Sequence, residues 1–452
     1  MKYHIITYGC QMNKSDTERI AAVLEKMEYQ KTSNENEADL ILVNMCSVRQ
    51  SAVDRVYGLS KKIKKLKTKN NKLKTILTGC ISNLDLKKFQ NFFDYILSIK
   101  ALSKWPEFLK KEKFYYYPNP RDEKFSKEFE GCYFKVKPKY SKNFSVFIPI
   151  STGCNNFCSF CIVPFVRGPL ICRCHEEILD EVKSAIENGA KEIWLLGQNV
   201  NRYRSNSKFK IQNSKIIDFA ELLRRVNQIE GNFWIRFTSP HPKDFSDELI
   251  ETMAKCEKVT PYLNLPVQSG DDEILKRMNR PYTVKQYKNL INKIRSAFKK
   301  YRKGLEKEIA ISTDIIVGFP GETEKQFENT LKLFKEIKFD MAYIAQFSPR
   351  PGTAAAKLKG DVTEKEKERR WKILTDILKK TALKKNKKFI GKEIEVIVDK
   401  QETGNRKQVY FGKSRHYKTV KFEGKKNLIG NIAKVKITNA LPWGLKGRLI
   451  KK

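Results

Sequence analysis

The sequence predicts a mixed α/β protein of three structural parts, because three patterns of strand and helix follow one another along the chain. Residues 1–112 alternate short apolar strands with amphipathic helices, which indicates a small α/β layer. Residues 144–363 repeat a strand and a helix six times, which fits an incomplete parallel barrel. Residues 386–452 change to the two-residue period of strands with glycine turns, which is typical of a small β-barrel. We expect residues 113–143 to form a connector and residues 364–385 a charged linker helix.

Composition limits the class of protein. The 452 residues are 40% apolar, which is enough for several packed cores. Lysine and arginine outnumber aspartate and glutamate by 90 to 51, a net charge of +39 that favours nucleic acid as a partner. A proteome rich in lysine remains an alternative source of part of this charge. The first twenty residues contain no apolar run of a signal peptide, and no stretch approaches the roughly 18 apolar residues of a membrane span. We therefore expect a cytoplasmic protein, whose ten cysteines are metal ligands or free thiols rather than disulfides.

The amino-terminal layer carries a cysteine after each of three strands. The predicted strands are Tyr3–Tyr8, Leu40–Asn44, Lys74–Thr78 and Phe93–Ile96, with helices at Asp16–Met27 and Ser47–Lys65. Cys10, Cys46 and Cys80, here named the amino-terminal triad, follow the first three strands. Since ligand sites form outside the carboxyl ends of parallel strands, the three thiols are expected to converge. Three thiolates suit an iron-sulfur cluster with one open iron, although unrelated buried cysteines remain the alternative.

The barrel region begins with three closely spaced cysteines, Cys154, Cys158 and Cys161, here named the central triad. The spacing C-x3-C-x2-C gives each thiolate one iron of a 4Fe-4S cluster and leaves the fourth iron without a protein ligand. This arrangement resembles the radical S-adenosylmethionine (SAM) signature. A zinc site is the alternative, but no second cysteine pair or close histidine completes a tetrahedron.

The strands and helices of the barrel can be read from the sequence in order. The predicted strands are Ser145–Ile150, Glu192–Leu196, Trp234–Phe237, Thr260–Leu265, Ile309–Val317 and Met341–Gln346. The predicted helices are Glu176–Asn188, Asp218–Gln228, Asp244–Cys256, Thr283–Lys300 and Glu324–Ile337. Polar residues and glycines follow nearly every strand, so one ligand-binding rim at the strand carboxyl ends is expected.

The carboxyl-terminal strands carry many cations. Predicted strands lie at Glu393–Val398, Val409–Gly412, Thr419–Phe422, Ala433–Ile437 and Gly447–Ile450. The cations are Lys407, Lys413, Arg415, Lys418, Lys421, Lys425 and Lys426. Tyr410, Tyr417 and Phe422 lie among them, and cations for phosphates with rings for bases suit RNA. A solvated basic face is the alternative.

With both triads and the carboxyl-terminal barrel in place, the chain resembles the MiaB family of tRNA methylthiotransferases from end to end. The matching stretches are Thr7–Asn13, Asn44–Arg49, Gly79–Cys80, Gly153–Pro164, Leu196–Val200, Leu265–Gly270, Thr313–Thr323 and Ser348–Thr353. The carboxyl-terminal part resembles a TRAM domain, an RNA-binding β-barrel. Sister families that modify threonylcarbamoyl-adenosine or a ribosomal-protein aspartate are similar too, but Gln11-Met12-Asn13 and Cys46–Arg49 favour the isopentenyladenosine branch.

The resemblance implies a cofactor set and a reaction. The central triad would hold the 4Fe-4S cluster that cleaves SAM, and the amino-terminal triad would hold an auxiliary 4Fe-4S cluster that carries the sulfur. The product would be the 2-methylthio form of N6-isopentenyladenosine next to the tRNA anticodon. The implied partners are the tRNA anticodon stem-loop and an electron donor such as flavodoxin or ferredoxin, and we expect a monomer. Gln198 and Glu322 are the expected SAM contacts.

The chain departs from the family pattern after Arg167-Gly168. A short acidic stretch is usual there, whereas this chain reads Pro169–Cys174 and gains the extra thiols Cys172 and Cys174. Asn264 stands where a histidine is common. These departures motivate a further alternative, an RNA-binding iron-sulfur protein without catalysis.

Overall fold

The structure is a computed structural model that describes residues 1–129, 131–205, 216–403, 408–424 and 427–450. None of its described helices combines the length and the apolar character needed to cross a membrane.

The amino-terminal domain is a six-stranded parallel sheet with helices on both faces. Its strands are β1 Lys2–Thr7, β2 Gln30–Lys31, β3 Leu40–Cys46, β4 Lys74–Cys80, β5 Tyr95–Leu97 and β6 Phe114–Tyr116, in the order β2-β1-β3-β4-β5-β6. Its helices are α1 Gln11–Lys26, α2 Gln50–Lys69, α3 Asn83–Phe89, α4 Trp105–Phe108, α5 Glu123–Glu128 and α6 Cys132–Lys135. Every residue of β3 is buried, because apolar clusters cover both faces of this central strand. The α/β layer that the sequence predicts is confirmed.

The sheet extends beyond residue 112, which is the predicted end of the first domain. β6 pairs in parallel with β5, and its Phe114 and Tyr116 rings stack against each other 6.2 Å apart and contact Phe108. These rings cover the end of the sheet, so part of the expected connector belongs to the amino-terminal domain.

The central domain is an open barrel of six parallel strands. Its elements are β7 Ser145–Pro149, β8 Ser151–Thr152, α7 Val163–Val166, β9 Ile171–Cys172, α8 His175–Glu187, β10 Glu192–Leu196, β11 Arg204–Ser205, β12 Ile217–Asp218, α9 Phe219–Gln228, β13 Trp234–Phe237, α10 Asp247–Lys255, β14 Tyr262–Asn264, α11 Asp272–Arg277, α12 Val284–Tyr301, β15 Ala310–Val317, α13 Glu324–Ile337 and β16 Met341–Gln346. The barrel strands follow the order β7-β10-β13-β14-β15-β16, with one parallel bridge, Ile235 to Val259, joining the two halves. No described pairing returns β16 to β7, so the incomplete barrel is confirmed.

Helix caps and apolar faces explain these elements locally. Thr283 and Thr323 each begin a helix with a capping box, in which the side chain of the glutamine three residues later accepts the backbone N–H of the threonine. The apolar faces of α8, α9, α10, α12 and α13 pack on the outside of the strands in one large core.

The carboxyl-terminal domain is a closed five-stranded barrel preceded by a long helix. The helix is α14 Glu364–Lys387, and the strands are β17 Glu393–Thr403, β18 Gln408–Ser414, β19 Thr419–Gly424, β20 Ile432–Leu441 and β21 Gly444–Leu449. The barrel order is β17-β18-β19-β21-β20. Buried and exposed residues alternate along β19 and β20, as the two-residue period of the sequence predicts.

Candidate active site

Two thiols of the amino-terminal triad end neighbouring strands. Cys46 closes β3 and Cys80 closes β4, and the two residues are direct partners in the parallel register. Both are buried, whereas Cys10 lies partly exposed in the loop between β1 and α1. Burial and the nearby Cys80 thiol raise the pKa of Cys10. The hydrogen bond between Cys46 and Cys80 lowers the pKa of Cys46 and, together with burial, raises that of Cys80. Buried thiols in such close contact suit a site where a cation or cluster stabilises their thiolates.

Local backbone contacts fix this arrangement. Gly79 has a φ of +109°, and a Cβ at this position would lie 2.2 Å from the Met45 carbonyl oxygen, so only glycine lets β4 approach β3 beside Cys80. The Asn13 amide oxygen accepts a hydrogen bond from the Cys10 backbone N–H at 3.2 Å. Its Nδ2 donates to the side chain of Asn44 in β3 at 3.0 Å. The Cys10 loop is thereby tied to the strand that carries Cys46.

The central triad occupies the loop that follows β8. Cys161 donates its backbone N–H to the Cys158 carbonyl at 2.9 Å, and Cys154 donates to the Gly168 carbonyl at 3.1 Å. Burial and the nearby Cys158 thiol raise the pKa of Cys161 to about 12. Gly153 has a φ of +81°, and a Cβ there would lie 1.9 Å from the Pro169 carbonyl oxygen. The loop therefore folds tightly on itself and gathers its three thiols.

The two triads are neighbours in space. Ile162 and Val166 pack in one apolar cluster with Cys46 and Cys80. Ile162 directly follows Cys161 and precedes helix α7, and Val166 is the last residue of that helix. The segment directly after the central triad thus covers the amino-terminal triad. Three thiols at one site fit a 4Fe-4S cluster that leaves one iron open to an outside group.

Each triad has one thiol that accepts a hydrogen bond from a buried arginine, and the two arginines are different residues. The Arg167 Nε lies 2.9 Å from the Cys80 Sγ, and the Arg280 Nη1 lies 3.7 Å from the Cys158 Sγ. Neither contact is visible in the sequence, because each joins residues far apart in the chain.

The two expected SAM contacts differ in their surroundings. The Gln198 Oε1 accepts the Gly153 backbone N–H at 2.5 Å, so Gln198 lies directly behind the central triad loop. The Glu322 carboxylate is buried, accepts the Gly318 N–H at 2.6 Å and pairs with Arg370 at 2.8 Å. Both contacts are made by the Oε2 atom. That Glu322 contacts SAM therefore stays a prediction.

Other polar atoms at the rim are buried without a hydrogen-bond partner among the described residues. They are the Ser151 Oγ, the Asn199 Oδ1 and the His241 Nε2. Burial and the neighbouring Arg280 and Lys243 lower the pKa of His241 to about 2, so its ring is neutral at physiological pH. All three follow barrel strands at the carboxyl end, where the sequence predicts a ligand. These atoms are candidates to contact that ligand, and their sequence pattern does not distinguish them from turn residues.

The segment Pro169–Cys174, which departs from the family pattern, lies beside the loop of the central triad. Cys172 in β9 pairs with Ser151 in β8, and its Sγ accepts the Arg204 backbone N–H at 3.5 Å. The ligand atoms of Cys174, His175 and Glu176 lie within 4.8 Å of one another at the start of α8. At the position where a histidine is common, the Asn264 amide donates to the Asp314 carboxylate at 2.9 Å inside the barrel.

The cations predicted to bind RNA divide into two groups. Lys418 is buried and pairs with Asp340 at 2.8 Å, and Arg415 pairs with Glu306 and donates to the Glu257 carbonyl. Both residues fasten the carboxyl-terminal barrel to the central domain, so the prediction that they contact RNA is wrong for Lys418 and unsupported for Arg415. Lys421 is exposed. Lys407, Lys425 and Lys426 lie outside the described residues.

Lys413 lies in a cavity of about 360 Å³ where the three domains meet. The cavity is lined by Lys14 and Lys142 as well as by the Trp194 and Tyr417 rings. Tyr410 and Phe422, by contrast, are core residues of the small barrel, so the prediction that they stack on bases is wrong.

Three family models match successive parts of the chain. Residues 2–99 match the uncharacterized protein family UPF0004, residues 148–334 the radical SAM superfamily, and residues 387–450 the TRAM domain. Several relatives named tRNA-2-methylthio-N(6)-dimethylallyladenosine synthase are similar over almost the whole chain. The relative from Clostridium botulinum (strain Okra / Type B1) is 41% identical over 99% of this chain and 97% of its own length. The relative from Thermoanaerobacter sp. (strain X514) is 39% identical over 99% of this chain and 92% of its own length.

Solved structures share the fold at low sequence identity. The radical SAM methyltransferase TsrM from Kitasatospora setae, with tryptophan and a SAM analogue bound, superposes with a TM-score of 0.54 at 13% identity. That match covers 78% of this chain and 75% of the other chain. A second structure of TsrM, with cobalamin and a [4Fe-4S] cluster bound, gives a TM-score of 0.52 at 12% identity.

Proposed function

Because the chain belongs to the family of tRNA-2-methylthio-N(6)-dimethylallyladenosine synthases, we propose that it is a radical SAM enzyme that methylthiolates C2 of N6-isopentenyladenosine in tRNA. The observation that carries this proposal is the packing of Ile162 and Val166, which follow the central triad in the chain, on Cys46 and Cys80 of the amino-terminal triad. Insertion of a methylthio group needs both a site that activates the nucleoside and a site that holds sulfur. Two neighbouring sites with three thiols each meet that need.

The cofactors follow from the same residues. The central triad would hold the 4Fe-4S cluster of a radical SAM enzyme, and the amino-terminal triad would hold a second one. When bound, a cluster held by three thiolates supplies one open iron, for electron transfer to SAM at the central triad and for the transferable sulfur at the amino-terminal triad.

The protein's own side chains position and shield the reactants. Gln198 holds the turn before Cys154, and the unpartnered atoms of Ser151, Asn199 and His241 offer hydrogen bonds to the polar groups of SAM. Ile162 keeps water away from the space between the triads. A dry site of this kind protects a reactive intermediate from side reactions with solvent.

The base of the barrel is closed by the carboxyl-terminal domain. Arg236 donates to the Ser414 and Arg415 carbonyls at 2.7 and 2.9 Å, and the Tyr417 ring packs edge-on against Trp194 at 5.3 Å. The barrel interior is therefore reached from its open side and its rim. We propose that the tRNA anticodon stem-loop approaches there, with Lys421 as a phosphate contact.

The remaining partners belong to the same proposal. Electron transfer to the central site requires a donor such as flavodoxin or ferredoxin, and the enzyme is proposed to act as a monomer in the cytoplasm. The sister reactions on threonylcarbamoyl-adenosine or a ribosomal-protein aspartate are less favoured, because relatives that match almost the whole chain are named for N(6)-dimethylallyladenosine, which is the same nucleoside as N6-isopentenyladenosine.

Iron analysis and nucleoside mass spectrometry test the proposal. Anaerobically reconstituted protein should hold about eight irons per chain, and replacing Cys10, Cys46 and Cys80 by alanine should leave about four. That variant should still cleave SAM to 5′-deoxyadenosine but form no methylthio product. A deletion strain should lose 2-methylthio-N6-isopentenyladenosine from its tRNA and accumulate the unmodified nucleoside. Loss of a different modified nucleoside would favour a sister reaction, and absence of 5′-deoxyadenosine in the wild-type protein would favour a non-catalytic role.

A further inference from the structure

Arg167 is a buried cation whose contacts reach past its own domain. Only 2% of its surface is exposed. Its Nη1 and Nη2 donate to the two Asp16 carboxylate oxygens at 3.3 and 2.5 Å, while its Nε donates to the Cys80 Sγ at 2.9 Å. A guanidinium stays charged in proteins and presents its donors in a rigid fork. Arg167 therefore brings a fixed positive charge and an N–H donor to one thiol of the amino-terminal triad.

Asp16 holds this fork in place. The carboxylate is fully buried and also accepts the Tyr133 hydroxyl at 2.7 Å. With its carboxylate held by Arg167 and Tyr133, Asp16 fixes the orientation of the Arg167 side chain. The ion pair with Asp16 would by itself join the two domains. The hydrogen bond from the Arg167 Nε–H to Cys80 is a separate contact that the ion pair does not require.

The position of Arg167 in the chain links the two triads. It comes six residues after Cys161, and the carbonyl of the next residue, Gly168, accepts the Cys154 backbone N–H. One short segment thus fixes the central triad through its backbone and the amino-terminal triad through a side chain.

We propose that Arg167 is a positioning residue of the amino-terminal cluster, which orients Cys80 and raises the reduction potential of the cluster by hydrogen bonding to its thiolate. The proposal rests on the proposed function, because it takes the amino-terminal triad as the ligands of a 4Fe-4S cluster. Hydrogen bonds to cluster sulfurs and nearby positive charge stabilise the extra electron of the reduced state, and so raise the potential.

Arg280 provides an internal comparison. Its Nη1 lies 3.7 Å from the Cys158 Sγ, and its other nitrogens donate to the Tyr282 hydroxyl and the Pro266 carbonyl at 2.7 and 2.6 Å. This contact is longer than that of Arg167, so Arg280 should have the smaller effect, and on the central cluster only. The chain therefore contains a matched control for the substitution at Arg167.

The test is a redox titration followed by electron paramagnetic resonance on the full-length, anaerobically reconstituted chain. Each cluster is measured in a background in which the cysteines of the other triad are alanine. We expect Arg167→Gln to lower the midpoint potential of the amino-terminal cluster and to leave that of the central cluster unchanged. Arg280→Gln should give the reverse pattern with a smaller shift. Arg167→Lys keeps the charge but loses the forked arrangement of N–H donors. Its amino-terminal cluster should have a midpoint potential between those of the wild type and of Arg167→Gln.

A second variant separates the proposed role from a loss of folding. Arg167→Gln leaves the buried Asp16 without a counter-ion, whereas Asp16→Asn with Arg167→Gln keeps the pair neutral. A lowered potential, or loss of the amino-terminal irons alone, in this double variant supports the proposal. Full iron content with an unchanged amino-terminal potential overturns it, and so does an equal shift in both clusters. A wild-type chain that binds only about four irons would instead refute the two-cluster assignment of the proposed function.

Discussion

Asp340 should be the residue whose loss most weakens the attachment of the carboxyl-terminal barrel. It lies just before β16 and accepts Lys418 from the small barrel at 2.8 Å and Lys385 from α14 at 2.5 Å. The side chains of Asp340 and Lys418 are 9% and 8% exposed. Asp340→Asn removes the charge shared by three parts of the chain and leaves two ammonium groups without their counter-ion. Breaking a buried pair in this way costs about 3–5 kcal/mol.

The pKa of Asp340 reflects the charge part of the same interaction. Burial raises this pKa, but Lys418 and Lys385 outweigh burial and lower it to about 2 from 3.8. The difference corresponds to about 2 kcal/mol of stability. Because the folded-state pKa is the lower one, this stability is present above pH 3.8 and is lost as the pH falls through about 2.

Thermal unfolding under anaerobic conditions measures the effect. We expect Asp340→Asn to lower the melting temperature by about 5–10 °C, and the acid-dependent part of the stability to disappear in the variant. Glu308→Gln is the matched control, since its ion pair with Lys388 also joins the central domain to the end of α14 but is 66% and 54% exposed. The control should change the melting temperature by little. Equal effects of the two variants, or a pH profile of Asp340→Asn like that of the wild type, would refute the reasoning.

Three further predictions follow from single residues. Gly79→Ala would place its Cβ 2.2 Å from the Met45 carbonyl oxygen, so iron analysis should show loss of the amino-terminal irons with the central ones retained. Lys421→Glu should weaken tRNA binding and reduce the salt slope of the affinity by about 1 or more, whereas an unchanged slope in filter-binding titrations would exclude Lys421 as a phosphate contact. Burial, and to a lesser extent Arg167, lowers the pKa of Lys100 from 10.5 to about 8. Stability should therefore rise with pH between these values, where the folded chain has lost the proton that the unfolded chain still binds. Lys100→Met should therefore raise the free energy of unfolding at pH 7 in denaturant titrations and remove this rise.

The sequence predicted the fold well because its periodic patterns are local. The strands Glu192–Leu196, Trp234–Phe237 and Met341–Gln346 have the bounds that their apolar runs indicate. Strand β6 was missed because three residues among prolines and charges carry too little periodicity, and only pairing with β5 makes them a strand.

The candidate site was predictable where chemistry depends on strand ends and local spacing. The parallel register of β3 and β4 places Cys46 directly opposite Cys80, so the two thiols lie at the same edge of the sheet. Arg167 and Arg370 were not predictable in their roles, because their partners Cys80 and Glu322 lie 87 and 48 residues away. Lys418 shows the same limit, since it lies in a turn before β19 where the strand period gives no direction to its side chain.

The packing of helix α7 explains why the two triads are fixed relative to one another rather than held on independent domains. If each domain fixed only its own thiols, small movements between the domains would change the separation of the two sites. Here the segment from Ile162 to Gly168 contacts both sites, through apolar packing on Cys46 and Cys80 and through the backbone of Cys154. A movement of the central loop is therefore coupled to the thiols of the neighbouring domain. In the proposed reaction, sulfur held at one site meets a nucleoside activated at the other, and a fixed separation removes a large part of the entropic cost of alignment.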